Sequence, residues 1–305
     1  MRHGDENVNV LIVGATGFLG GGALRALRWR GHGVTGIARG DAARRRLEAA
    51  GCTAVAGDVD QPDQLARAAS AADAVVYAVQ LNQPDAEEVE SRALRALAGA
   101  LEGSEKALLY TSGVWFYGAT GDRIADESTP ANPPPTVVAR PRLEKIVLDS
   151  ATRGVRAIVV RPGDVFGEGR GLPALFVESA RSSGAARTFG DGRNRWPVIH
   201  VDDLGALYAL ALENAAAGDV YNATDDTSFT QLEIARAASR GAGRNGETTV
   251  WPLDEAAATM GEWVRNLALD QRVTSARARA RLQWSPKAPT ILEDLERGSY
   301  ALQPS

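Results

Sequence analysis

"VNVLIVGATGFLGGG", residues 8–22, is the stretch on which the fold turns. Its apolar first half is short and β-branched, as in a buried strand. Gly14, Gly17 and Gly20 then follow as G-x-x-G-x-x-G, and "GFLGGGALRALRWRG" reads as the helix behind them. Glycine is required where the backbone turns tightly and where a side chain would collide with a diphosphate. A strand–glycine turn–helix unit is the context in which such a motif binds a dinucleotide, with Gly17, Phe18 and Leu19 offering amides at the helix start. The competing reading of the same glycines is close packing of helix on strand.

Working outward, short apolar runs alternate with helical stretches to about residue 165. "GVTGIAR", "CTAVAGD", "AVVYAV", "ALLYTSG" and "VRAIVVRPG" read as further strands. "DAARRRLEAAG", "AEEVESRALRALAGALEG" and "PRLEKIVLDSATRG" read as helices between them. This alternation predicts an α/β fold, a doubly wound parallel sheet of Rossmann type. Past residue 165 the pattern loosens around "FGEGRG" and "FGDGRNRWP". The expected division is a dinucleotide-binding domain over 1–165, with returning segments near 196–224 and 271–283. A smaller C-terminal substrate lobe would occupy most of 166–305.

The 305 residues carry 34 Lys and Arg against 38 Asp and Glu, a net charge of −4. The two signs are interspersed, which argues against nucleic acid or an anionic membrane as partner. Cys52 is the single cysteine, and His3, His32 and His200 are scattered, so no metal site is expected. The start of the chain has no leader-like apolar stretch, and no apolar run of about 18 residues occurs. The expectation is a cytoplasmic protein; its oligomeric state is left open.

The second strand tests which dinucleotide binds. An acid at its end suits the ribose hydroxyls of NAD, whereas an arginine suits the 2′-phosphate of NADP. "GIARG" places Ala38 and Arg39 there, with Arg44, Arg45 and Arg46 following. The planar fork of Arg39 suits phosphate and favours NADPH, although a solvated arginine would look the same. "GDVD" places Asp58 and Val59 after the third strand; Asp58 either accepts from the adenine amino group or caps the next turn.

The combination "GATGFLG", "GDVD", "YTSGVWFYG", "RPGDVFG", "HVDDLGALY", "GDVYNATDD" and "RLQWSPKAP" resembles an extended or atypical short-chain dehydrogenase/reductase of the NAD-dependent epimerase/dehydratase-like kind. The resemblance spans nearly the whole chain. It implies a nicotinamide cofactor held by Gly14, Thr16, Gly17, Phe18, Leu19, Arg39, Asp58, Val59, Ala78, Arg140 and Pro162. It also implies a catalytic serine or threonine, a proton-transferring tyrosine, and a lysine that holds the ribose. With Glu144 as anchor, these positions fall on Gly113, Thr136 and Arg140, with Ser112 just before Gly113. No tyrosine lies between Tyr117 and Tyr208, and no lysine between Lys106 and Lys145. A small slip of register therefore restores no Tyr-x-x-x-Lys pair.

Four candidates remain for the altered chemistry: Ser112, Tyr117, Thr136 and Arg140. Thr136 is too weak an acid, and Arg140 is permanently charged. Tyr117 or Ser112 would donate from the end of the fifth strand, although Tyr117 reads equally as a packing residue. A substrate hydroxyl beside the ketone would stabilise its own alkoxide, as in hydroxylated aromatic polyketides. Among family members, antibiotic-pathway ketoreductases acting on angucyclinones of the simocyclinone type offer the nearest parallel. Trp115, Tyr117, Phe166 and Trp196 would suit a flat apolar substrate, or serve as ordinary lobe packing. Arg193 and Arg195 would meet a diphosphate or stand solvated, and His200 with Asp202 and Asp203 reads as a structural anchor. The leading expectation is an NADPH-dependent ketoreductase acting on a small-molecule ketone without the usual proton relay. A non-catalytic NADP sensor and a sugar-nucleotide epimerase or dehydratase are the alternatives.

Overall fold

The computed structural model describes residues 7–302. His3 and the start of the chain, on which the leader reading rests, lie outside the described residues. Six strands alternating with five helices open the fold. They are β1 (Asn9–Val13), α1 (Phe18–Trp29), β2 (Gly33–Ala38), α2 (Asp41–Ala49), β3 (Thr53–Ala56), α3 (Pro62–Ser70), β4 (Ala74–Tyr77), α4 (Ala86–Ala100), β5 (Ala107–Thr111), α5 (Arg140–Asp149) and β6 (Arg156–Pro162). The remainder comprises β7 (Asp164–Gly167), β8 (Arg170–Gly171), α6 (Ala174–Ser183), β9 (Ala186–Phe189), β10 (Val198–His200), α7 (Val201–Asn214), β11 (Asp219–Ala223), α8 (Gln231–Gly241), β12 (Thr248–Trp251), α9 (Leu253–Met260), α10 (Ala276–Leu282) and α11 (Ile291–Arg297).

The main sheet runs β11-β6-β5-β4-β1-β2-β3. Every neighbouring pair in it is parallel. The doubly wound α/β architecture therefore forms, with β11 as a seventh strand beyond the six read from the opening segment. Strand alternation divides the core. Val10 and Ile12 face one layer with Leu27, Leu204 and Tyr208. Leu11 and Val13 face the opposite layer with Leu65, Leu94 and Leu97. Both faces of a parallel sheet are thus covered by helices, which removes its backbone from water.

The chain leaves the sheet after Pro162 and returns through β10, α7 and β11. Residues outside that return pack a third core around Phe166, Phe176, Phe189, Trp196, Ile234 and Leu295. Two helices fix the return to the sheet. A Cβ on Gly205 of α7 would lie 2.4 Å from the carbonyl oxygen of Gly22 on α1, and one on Gly22 would lie 2.6 Å from that of Val201. The two helix backbones are therefore in direct contact, which only glycine permits.

The helix read over "PRLEKIVLDSATRG" is shorter in the structure. It ends at Asp149, and Ser150–Arg153 tighten into a 3-10 turn closed by Gly154 at φ +73°. Upstream, Pro130, Pro133, Pro134 and Pro135 keep the chain extended until a single 3-10 turn at Pro135–Val137. This delays α5 to Arg140 and sets where that side chain emerges. Replacing Gly205 by leucine is expected to force α1 and α7 apart and to lower unfolding stability by about 1–3 kcal/mol or more. An unchanged urea midpoint would show that the backbones are not in contact.

Candidate active site

The first half of the site lies where the winding of the sheet reverses, between β1 and β4. Gly14 follows β1 with φ +96°, and a Cβ on it would sit 2.5 Å from the Ala78 carbonyl oxygen. The Gly17 amide donates to the Gly14 carbonyl at 2.9 Å and closes the turn. That corrects the expected donor set: Gly17 is used internally, while Phe18 and Leu19 open α1, where N–H groups lack helical partners. Gly14, Thr16, Gly17, Arg39, Asp58, Val59 and Ala78 line one groove, joined by Arg46 of α2. The Arg39 Nε lies 3.9 Å from Asp58 and the side chain is largely exposed. Arg44 is engaged by Asp41 and Glu48 instead. A cradle that a Cβ would fill and free amides at a helix start together fit a dinucleotide, and two arginines, Arg39 and Arg46, stand at the far rim.

The groove continues into a cleft of about 630 Å³ between the sheet and the smaller lobe. Phe18, Leu19, Ser112, Gly113, Trp115, Thr136, Arg140 and Pro162 line it, together with Asp164, Trp263 and Asn266. Arg140 also lines the adjoining cavity beneath it with Glu90 and Tyr110. Its Nε is buried without a partner, and so is the Ser112 hydroxyl. A cation at the start of α5 stands at the positive end of that helix, where an anion would be favoured. Glu90 of α4 is the nearby carboxyl. Burial raises its pKa, opposed by the Leu81 amide that donates to it at 3.1 Å and by Arg140.

Thr136 is held by the other lobe, since Asn266 Nδ2 donates to its hydroxyl oxygen at 2.6 Å. Asp164 is 8 % exposed. Its backbone amide donates to the Pro197 carbonyl, but its carboxyl has no hydrogen-bond partner or counter-ion among the described residues. Burial alone pushes that carboxyl up to about 7. Glu90, Asp164, Trp263 and Asn266 all escaped the sequence reading. Only Asp164 belonged to a motif already singled out, "RPGDVFG".

Three expected site residues lie elsewhere. Tyr117 is buried beneath the cleft rather than in it. Its hydroxyl donates to Asn222 at 2.8 Å and accepts from Arg161 Nη1 at 2.7 Å. Arg161 in turn forms a two-bond pair with Glu144, at 2.9 and 2.6 Å, and lies 3.6 Å over the Phe116 ring. The cause is the 3-10 turn Val114–Tyr117, which sends Trp115 to the cleft and Phe116 and Tyr117 inward. Phe166 packs edge-on against His200 inside the lobe core. Trp196 is buried there too, with its indole N–H donating to the Leu267 carbonyl. Tyr117, Phe166 and Trp196 are therefore structural, and Trp115 alone of the named aromatics reaches the cleft. Arg193 and Arg195 do not line it. His200 caps α7 by accepting from the Asp202 amide.

The described residues contain no cluster of three or more metal-ligating side chains. Among the described residues no helix is long and apolar enough to cross a membrane. Breaking the buried Arg161–Glu144 pair is expected to be costly, because an uncompensated charge remains in the core. Glu144→Gln should lower unfolding stability by about 3–5 kcal/mol. A loss below about 1 kcal/mol in urea denaturation would mean that the arginine finds water.

Comparison with known proteins extends this picture. The model of the NAD dependent epimerase/dehydratase family matches residues 10–224. An uncharacterised protein of Schizosaccharomyces pombe is 28 % identical over 304 residues, covering 96 % of this chain and all of that one. A 2'-dehydrokanamycin reductase of Streptomyces kanamyceticus is 29 % identical, covering 71 % of this chain and 61 % of its own length. A 4-hydroxy-2-methyl-3-oxo-4-farnesyl-3,4-dihydroquinoline-1-oxide ketoreductase of Stigmatella aurantiaca is 25 % identical, covering 72 % and 68 %. Among solved structures, a putative epimerase from Burkholderia cenocepacia superposes with a TM-score of 0.79 at 23 % identity, over 96 % of each chain.

Proposed function

The chain belongs to the NAD dependent epimerase/dehydratase family of oxidoreductases, and on that premise we propose that it is an NADPH-dependent ketoreductase. Its substrate would be a secondary-metabolite ketone, an aromatic polyketide with a hydroxyl beside the carbonyl. One observation carries the reading. A half-buried arginine, Arg140, whose Nε is buried without a partner, stands where the nucleotide groove opens into a cleft lined by Trp115, Trp263, Phe18 and Leu19. Two relatives named for carbonyl or dehydro-sugar reduction support it, and one of them acts on a bicyclic ketone carrying an adjacent hydroxyl.

The residues of the groove divide the work. Gly14, Phe18 and Leu19 would hold the diphosphate, and Arg39 with Arg46 the 2′-phosphate. The bound nicotinamide supplies the hydride. Arg140 stabilises the negative oxygen that forms on the substrate, in a site where burial strengthens the attraction. As a permanent cation it gives no proton. Thr136, oriented by Asn266, contributes a hydrogen bond only. The apolar side chains of the cleft exclude water and accept a flat substrate. The sugar-nucleotide epimerase reading draws on the shared fold, but it needs a base for a sugar hydroxyl, which neither Thr136 nor Arg140 supplies.

Three measurements test this. Purified protein is expected to consume NADPH with hydroxyl-bearing aromatic ketones and to leave ketones lacking that hydroxyl nearly untouched. Tight NADPH binding with no turnover on any ketone would instead favour a cofactor sensor. Arg39→Ala should raise the KM for NADPH about tenfold or more, the worth of a charge-assisted hydrogen bond, while leaving that for NADH unchanged. Equal effects on both cofactors would overturn the NADPH assignment. Thr136→Ala should lower kcat by less than about tenfold; a loss beyond about 10²-fold would make Thr136 the acid after all.

A further inference from the structure

Reduction of a ketone leaves an oxygen that needs one proton, and the assigned residues do not provide it. An internal hydrogen bond within the substrate shares a proton but adds none. The required group must reach the cleft, hold a proton near neutral pH, and be free of other bonds. Glu90 fails the last condition, because it accepts from the Leu81 amide and sits beside the Arg140 charge. Tyr110 lines the adjoining cavity, but burial pushes its hydroxyl far above its ordinary value. Ser112 is buried and unpartnered, yet an aliphatic hydroxyl is a very weak acid.

Asp164 meets all three conditions. It follows β6 by two residues, at the carboxyl end of the main sheet, and lines the same cleft as Ser112, Thr136 and Arg140. Its own strand, β7, pairs with β10 and β8 and packs against α7 and α11. Several charged groups on these elements have partners of their own. His200 accepts from the Asp202 amide, and Arg170 lies beside Glu168. Asp203 accepts from the amides of Lys287 and Ala288, and Asp294 from that of Ser299. Arg140 lines the same cleft but makes no ion pair with Asp164 among the described residues. A buried carboxylate left without partners is expensive, and folds normally avoid it by pairing or removal. A carboxyl retained in such a place is held in its neutral form, with a proton to give.

We infer that Asp164 is the general acid of this site, which gives its proton to the carbonyl oxygen of the substrate. This rests on the ketoreductase reading above. In the step, the carbonyl carbon is reduced by a hydride, which a reduced nicotinamide dinucleotide would supply as the two-electron reductant, and a new C–H bond forms on that carbon. The π pair of the carbonyl moves onto oxygen, the O–H bond of Asp164 breaks, and an O–H bond forms on the substrate. Asp164 is left as a carboxylate and recovers its proton from water when the cleft opens to solvent. The neutral carboxyl is the active form, so turnover is present at low pH and lost as pH rises through about 7.

The same proton has a signature in the protein without cofactor. The folded-state pKa lies above that of an unfolded aspartate, about 3.9. Below the lower value both states hold the proton. Between about 3.9 and the folded-state value only the unfolded chain ionises, so the fold loses stability as pH rises through that window. Asparagine at 164 cannot ionise and removes this loss.

The test compares the intact protein with Asp164→Asn. Thermal unfolding without cofactor should show the parent falling relative to the variant from about pH 4 to about pH 7, and running parallel above. Infrared difference spectra should show a protonated carboxyl band that titrates over the upper part of that range and is missing in the variant. With NADPH and a reducible ketone, the variant should lose about 10²–10⁴-fold in kcat, with NADPH affinity unchanged and without the fall above neutrality. Parallel melting curves over the whole range, or no such band, would overturn the neutral carboxyl. Undiminished kcat in the variant would overturn the acid role alone. Failure of the parent protein to reduce any ketone would overturn the acid role together with the ketoreductase reading.

Discussion

The carbonyl oxygen of Ala78 leaves no space for a side chain on Gly14. That contact joins the ends of β1 and β4, the two strands between which the sheet reverses its winding, and the geometry of the groove follows from it. Because the backbones meet there, the chain must turn at Gly14 in a conformation that other residues avoid. The turn aims α1 so that its first amides open into the groove. The same helix then carries Gly22 to its contact with α7, through which the chain returns from the smaller lobe to the sheet. A steric restriction at one strand end thus sets both the phosphate cradle and the placement of the lobe that closes the cleft.

A second constraint holds the floor of the cleft. Arg161 on β6 pairs with Glu144 on α5 and lies over Phe116, and the Tyr117 hydroxyl bridges that arginine to Asn222 on β11. Four segments are tied by one buried cation. A network of this kind contributes specificity of arrangement more than net stability. Here the arrangement it fixes is the start of α5, where Arg140 emerges. Tyr117, attractive as a donor when read from the sequence, acts one layer below the chemistry.

The sheet and its nucleotide groove were legible because their signals are local. Strand alternation, the glycine spacing after β1 and the arginine after β2 each lie within a few residues. The absence of Tyr-x-x-x-Lys was equally plain. The cleft was less legible because its walls come from distant segments. Asn266 meets Thr136 across 130 positions. Trp263 and Asn266 both come from the 3-10 segment Glu262–Ala268, which has no periodic signature. Tyr117 was misplaced because neighbouring residues of a 3-10 turn point in different directions, which strand-end reasoning does not capture. Asp164 stood in a quoted motif, yet its isolation depends on what β8, β10, α7 and α11 do with their own charges. Burial of that kind is a tertiary property.

Gly113 carries a consequence of a different sort. Its backbone is extended, with φ 170°, so any residue fits its conformation. Yet a Cβ there would lie 3.4 Å from the Arg140 guanidinium carbon. Gly113 and Arg140 are thus neighbours, and each position limits what the other accommodates. A serine at 113 would lay its hydroxyl against a fixed cation. A larger side chain there would push the guanidinium away from the place where its Nε is now buried. A change at one position is therefore felt first at the other, although 27 residues separate them in the chain.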